Sequence, residues 1–144
     1  MSVLVDTTVW SLALRRRQHQ LSTEERGLAG ELNRLMDERR VRIIGPIRQE
    51  VLSGIPDEGL YEGLRTQLRD FEDEPLNTGD FESAAQLYNR CRAAGVAGSD
   101  VDLLICAIAL DRRWSIFSTD QDFVRYEKII GVELYSPRKA NPLN

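Results

Sequence analysis

Ser2-Val-Leu-Val-Asp-Thr-Thr-Val-Trp10 is the stretch that decides how this 144-residue chain is read. Val3 to Val5 form a short apolar run that stops at a carboxylate. Asp6 is followed at once by two hydroxyl residues and a segment with helical spacing. The expectation is a strand held in the middle of a sheet, with Asp6 at its carboxyl end where a helix takes over. Open α/β sheets bind their ligands at that edge. The reading of the remaining sequence therefore turns on whether other carboxylates arrive at the same place.

The bulk numbers fit one domain with a proper core. Hydrophobic residues make up 42% and charged residues 29%, ordinary for a globular protein. No basic segment precedes an apolar run, so no secretory leader is expected. No apolar stretch is long enough to cross a bilayer, so no membrane partner is expected. Cys91 and Cys106 lack metal-type spacing and fit reduced, buried thiols in a cytoplasmic protein. The net charge of −4 does not suggest nucleic-acid binding, yet by direct count 17 of the 19 basic residues are Arg. Arg clusters at Arg15-Arg16-Arg17, at Arg39-Arg40 with Arg42, and at Arg112-Arg113. Arg grips phosphate bidentately, as Lys cannot. Charge alone favours solvated helix ends, but an acidic total leaves room for a metal-binding pocket with a basic rim.

Periodicity predicts a helix from Thr7 to about Arg17, with Trp10 and Leu14 on its apolar face. Ser22-Thr23-Glu24-Glu25 is a capping-box pattern opening a helix to about Arg40. Val41 to Ile44 reads as a second strand, and Gly45-Pro46 starts a short helix ending near Gly54. Further helices are predicted from Asp57 to about Phe71, from Thr78 to Ala94, and from Asp100 to about Arg113. The last is apolar nearly all round from Leu103 to Leu110, so it should be buried on several sides. Glu74-Pro75-Leu76 reads as extended, Trp114 to Ser118 as a strand, Asp122 to Lys128 as a short helix or turn, and Val132 to Tyr135 as a last strand. Strands separated by helices indicate an α/β fold with a parallel sheet. Residues 1–136 form the expected single domain, and residues 137–144, with two prolines, a loose tail.

Five carboxylates fall where these elements end or begin on one side of such a sheet: Asp6, Glu50, Asp102, Asp120 and Asp122. Each has an ordinary explanation. Asp6 could cap the following helix. Asp102, three residues after Ser99, fits a capping-box variant. Glu50 could flank an apolar face, and Asp120 and Asp122 are good turn formers. Together they weigh differently, because Asp102 abuts a strongly apolar run where an unpaired charge is costly. Acids crowded on one edge raise one another's pKa unless a cation sits among them. An all-oxygen donor set suits Mg²⁺ or Mn²⁺. The lone His19 argues against a zinc site and a His-based triad. No GxxxxGK[ST] motif is present. A haloacid-dehalogenase phosphatase would need a second Asp two residues after the first, where this chain has Thr8.

With those motifs in order, the chain resembles the PIN-domain endoribonucleases, and most of all the VapC toxins of toxin–antitoxin pairs, over essentially its whole length. Val-Leu-Val-Asp6-Thr-Thr-Val-Trp is similar to the family's first motif. Glu50 in Ile-Arg-Gln-Glu-Val-Leu matches the second acid. Asp102 in Asp-Leu-Leu-Ile-Cys-Ala-Ile-Ala matches the third, with Asp100 as a cap or an outer group. Ser118-Thr-Asp120-Gln-Asp122-Phe matches the fourth, Asp120 as the main acid and Asp122 assisting. The resemblance implies a three-layer fold with a mostly parallel sheet of four to five strands flanked by helices. It implies one or two Mg²⁺ or Mn²⁺ ions held by the acids, with Thr7, Thr8 and Ser118 orienting water or phosphate. It implies RNA hydrolysis leaving 3′-hydroxyl and 5′-phosphate ends, a homodimer, and a small VapB-like antitoxin that pushes a peptide, often with an Arg, into the acidic site. The rival expectation is a catalytically silent domain of the same fold that only binds RNA or protein, or a nuclease of RNA processing rather than a toxin.

Overall fold

The computed structural model describes residues 1–139. Strand β1 (Val3–Val5) is the middle of the sheet, as its apolar run requires: all three side chains have no exposed surface. It pairs in parallel with β2 (Val41–Arg42) on one side and β3 (Ser115–Phe117) on the other. A central strand buried on both faces reads as a continuous apolar run rather than an alternating one.

The sheet is shorter at its edges than four or five full strands. Ile43 makes a single parallel bridge to Asp73, and Ile116 another to Leu134. These bridges fall beside Glu74-Pro75-Leu76 and within Val132 to Tyr135, where extended segments are expected. Each is held by one or two backbone bonds: Glu74 N–H to Ile43 O at 2.9 Å, and Ile116 N–H to Glu133 O with Tyr135 N–H to Ile116 O at 2.9 and 2.8 Å. Neither grows into a ladder, and Pro75 and Pro137 have no N–H to continue one.

Among the described residues seven α-helices carry the crossovers. Helix α1 (Thr7–Trp10) leaves β1 and passes into a π-helical turn, Ser11–Arg15. Trp10 is fully buried, donates its indole N–H to Val5 O at 3.1 Å, and meets Phe71 edge-on at 5.3 Å. That anchors the exit from β1. Helix α2 (Thr23–Asp37) opens with the expected Ser22–Glu25 capping box. It stops before Arg40 because Arg39 turns left-handed at φ 57°. Helices α3 (Gly45–Leu52) and α4 (Glu58–Leu68) follow β2, with Pro46 in the first turn of α3 and Asp57 capping α4.

Helix α5 (Thr78–Ala93) packs on α6 (Asp100–Arg112), which is buried continuously from Leu103 to Ala109. Leu110 is the exception to the all-round apolar run and reaches solvent. Helix α7 (Asp122–Ile130) ends at Gly131, whose φ of 71° suits a residue without a Cβ. Of the expected loose tail, residues 140–144 lie outside the described residues. Within them, Arg138 forks between Glu31 and Glu38 of the α2 region, so this part is tied down.

Candidate active site

Each acid reaches the carboxyl edge of the sheet for a local reason. The Asp6 N–H extends the β1–β3 ladder to Phe117 O at 2.9 Å, while its carbonyl accepts from Val9 and Trp10 at the start of α1. Its side chain makes no capping bond. The buried carboxylate instead accepts from Ser118 Oγ at 2.7 Å and Thr8 Oγ1 at 3.1 Å, both on Oδ2. The same two hydroxyls accept backbone N–H groups from the segment after β3: Asp120 N to Ser118 Oγ at 3.0 Å, and Thr119 N to Thr8 Oγ1 at 3.1 Å. Thr8 and Ser118 thus lock the β1 exit to the β3 exit.

Asp102 stands at the third position of α6, where its N–H donates to the Ser99 cap at 3.0 Å. The cap explanation is correct for its backbone and does not exhaust its side chain. Tyr126 of α7 donates its hydroxyl to Asp102 Oδ2 at 2.9 Å. Gly98 makes room for that tyrosine, since a Cβ there would lie 3.2 Å from the Tyr126 ring and 2.2 Å from Leu103 Cδ2. Asp120 uses Oδ1 to accept the Asp122 N–H at 2.9 Å, and Asp122 holds Arg125 at 2.6 Å.

Asp6, Glu50, Asp102 and Asp120 line one cleft of about 510 Å³ together with Thr7, Thr8 and Arg16. Glu50 arrives from α3 and is exposed. Side-chain oxygens of Asp102, Asp120 and Asp122 all lie within 4.8 Å of one another. Asp122 and Ser118 belong to this cluster without lining the cleft themselves. Asp100 is elsewhere: it borders a separate apolar pocket with Phe81 and Tyr88 between α5 and α6.

Burial raises the Asp102 carboxyl above the ordinary carboxylate range. The charges of Asp6 and Asp120 push the same way, and the Tyr126 hydrogen bond opposes them only in part. Tyr126 is itself shifted upward, by burial first and then by Asp102, so it remains a donor at neutral pH. The hydrogen bonds recorded for Asp6, Asp102 and Asp120 fall on one oxygen of each carboxylate. The other oxygens are those a cation would use. A crowded, half-buried, all-oxygen set fits a hard divalent ion. The residues able to hold one are Asp102, Asp120 and Asp122 directly, with Asp6 and Glu50 on the same cleft.

Sequence reasoning missed Tyr126, which reads as one more apolar-face residue of α7. Its only signal was its spacing of four from Asp122. It also missed Arg16 as part of the cleft, singling it out only within a basic cluster.

The PIN-domain family model matches residues 3–129. The chain is a PIN domain. No curated protein matches it in sequence. Solved structures share the PIN fold over nearly the whole chain. FitAcB from Neisseria gonorrhoeae superposes with a TM-score of 0.69 at 18% identity, covering 94% of this chain and 97% of that one. VapBC2 from Rickettsia felis, bound to a DNA fragment from its promoter, gives 0.68 at 14%, covering 94% and 98%. A toxin–antitoxin complex from Klebsiella pneumoniae gives 0.67 at 18%, covering 96% and 100%. Identities this low establish the shared PIN fold alone.

Proposed function

We propose that this PIN domain is a metal-dependent endoribonuclease and the toxin of a toxin–antitoxin pair. The observation that carries the nuclease reading is the half-tied state of its acids. Asp6, Asp102 and Asp120 are each fixed through one oxygen, and burial, reinforced by the charges of Asp6 and Asp120, raises Asp102. A domain that only bound RNA or protein would gain nothing from that repulsion.

Ser118 and Thr8 orient Asp6, Tyr126 orients Asp102, and the Asp122 N–H orients Asp120. Groups held in this way need no rearrangement when substrate arrives. Asp102, Asp120 and Asp122, with Asp6 and Glu50 on the same cleft, would hold one or two Mg²⁺ or Mn²⁺ ions. Such an ion, when bound, would supply an acidified water and a counter-charge for the phosphoryl oxygens. Thr7 Oγ1 is buried without a partner among the described residues and its residue borders the same cleft, so it is available to a water or a phosphate oxygen. Unpaired RNA suits a recessed site better than a duplex, because its backbone can bend inward.

The toxin reading is supported by the structural neighbours, among them VapBC2 and a toxin–antitoxin complex. It brings with it a small antitoxin covering the acidic cleft, a homodimer, and a cytoplasmic setting consistent with the free buried Cys91 and Cys106. Among the described residues no helix is long and apolar enough to cross a membrane.

The test is cleavage of a labelled single-stranded RNA with Mg²⁺ or Mn²⁺ against a chelator control. Asp6→Asn should abolish the metal-dependent cuts while its circular dichroism stays that of the parent. Unchanged cleavage by that variant would remove the assignment.

A further inference from the structure

Arg16 is the one basic side chain among the described residues that line the acidic cleft. Asp6, Glu24, Glu25, Glu50, Asp102 and Asp120 surround the same space. A polyanion entering there meets repulsion on nearly every side and one fixed point of attraction. The backbone prepares that point. The π-helical turn Ser11–Arg15 inserts extra length into the helix after β1, and the Arg16 N–H closes it on Ser11 O at 3.0 Å. Single π turns of this kind occur often at functional sites, because they redirect the residues that follow.

Arg16 Nη1 donates to Glu25 Oε2 at 2.6 Å. The other Glu25 oxygen, Oε1, accepts the Ser22 N–H in the capping box of α2. Glu25 is therefore fixed by the helix terminus and holds the guanidinium beside the cleft. The Arg16 and Glu25 side chains are 43% and 30% exposed. An ion pair this open to solvent adds little to stability, so exchanging the carboxylate for a phosphate is cheap. A guanidinium–phosphate contact is the stronger, charge-assisted kind.

We propose that Arg16 is the residue that seats an RNA phosphate at this site, with Glu25 as the internal acceptor it leaves when RNA enters. The inference rests on the nuclease reading above and adds to it the residue that positions the substrate backbone. Arg16 acts on binding and alignment, and the cleaving groups are the acids.

The experiment compares wild type, Arg16→Ala, Arg16→Lys and Glu25→Gln on one single-stranded RNA across a salt series. Gln retains the capping box that Glu25 forms, so Glu25→Gln removes the ion pair and leaves the start of α2 intact. Arg16→Ala should raise KM about tenfold with kcat within twofold. Its plot of log(kcat/KM) against log[salt] should be shallower by about 0.7, the loss of one phosphate contact on a single strand. Arg16→Lys should restore the salt slope and part of KM. Glu25→Gln should lower KM, and combining it with Arg16→Ala should abolish that gain. A change in kcat alone, or an unchanged salt slope in Arg16→Ala, overturns the proposal. Fluorescence anisotropy with the same RNA reads the slope without turnover. Absent cleavage by wild type would thus sink the nuclease reading, while anisotropy would still judge Arg16 separately.

Discussion

Asp80 and Asp102 occupy the same local position in two neighbouring helices and live in opposite electrostatic worlds. Each is the third residue after the cap, Asn77 for α5 and Ser99 for α6, and each donates its N–H to that cap at 3.0 Å. Asp80 then receives the Arg112 guanidinium on both oxygens, at 2.5 and 3.0 Å, and the Asn77 N–H besides. Those Arg112 bonds hold its carboxyl below the ordinary range despite its burial. Asp102 receives one phenol and faces two other acids, and its carboxyl is raised. Glu31 follows Asp80: burial works against its charge, and the bonds from Arg138 more than offset it. Among the described residues the buried carboxylates Glu31 and Asp80 are each neutralised by a guanidinium. Asp102 is not, and that omission supports the metal-site reading proposed above.

The sharpest way to break the comparison is to neutralise both aspartates. Asp102→Asn should reduce RNA cleavage by well over 100-fold, because even outer partners of a metal ligand are worth about 10 to 100-fold. Its unfolding free energy in chelator should be equal to or above that of wild type, since a repelled charge has been removed. Asp80→Asn should do the reverse. It leaves Arg112 half-buried with its main partner gone, which costs about 3 kcal/mol, while cleavage per folded molecule stays the same. Chemical denaturation and initial rates on the same preparations check both. Equal destabilisation by the two variants would mean that Asp102 is a structural acid like Asp80.

The sequence made half of this contrast legible. β1 was readable because a three-residue apolar run ending in an acid has few other uses. Asp6, Asp102 and Asp120 were readable because each sits where an element changes, and Glu50 because it lies on the short helix that follows β2. Asp102 stood out from Asp100 by abutting the apolar run, and the two do part company, Asp102 to the acidic cleft and Asp100 to the α5–α6 pocket. The neutralised acids were not readable. Asp80 pairs across 32 positions and Glu31 across 107, and no periodicity encodes which arginine meets which acid. The outer sheet positions were overread as strands, because extended propensity does not reveal how many ladder bonds form. Tyr126 was invisible for a related reason: a tyrosine on an apolar helix face is ordinary until a carboxylate is found at its hydroxyl.

Tyr126 gives a middle-sized way to sharpen the contrast. Tyr126→Phe keeps the ring and its edge-on contact with Phe123 at 5.4 Å and deletes the hydroxyl that donates to Asp102 Oδ2. Asp102 then loses the larger of the two hydrogen bonds that oppose its upward shift. Activity should fall about tenfold, in the range for outer partners of a metal site, and raising the Mg²⁺ or Mn²⁺ concentration should recover part of it. A loss that added metal does not recover would place Tyr126 in packing alone. The corresponding change beside Asp80, Asn77→Ala, should touch stability and leave the metal dependence where it was.

The smallest effect is the dependence of stability on pH, and its sign separates the two aspartates. Asp80 has a lowered folded pKa, so its contribution is present above the ordinary value of 3.8 and is lost as pH falls through the folded value. Asp102 has a raised folded pKa, so stability is lost as pH rises from 3.8 towards that folded value, where the native state binds the extra proton. In metal-free buffer, wild type and Asp80→Asn should therefore converge in unfolding free energy as the solution is acidified below that point. Wild type and Asp102→Asn should diverge above it, with the variant the more stable. Neither difference can change faster than about 1.4 kcal/mol per pH unit, the limit for one proton. Adding Mg²⁺ or Mn²⁺ should close the second gap and leave the first untouched, because a cation in the cleft does for Asp102 what Arg112 already does for Asp80.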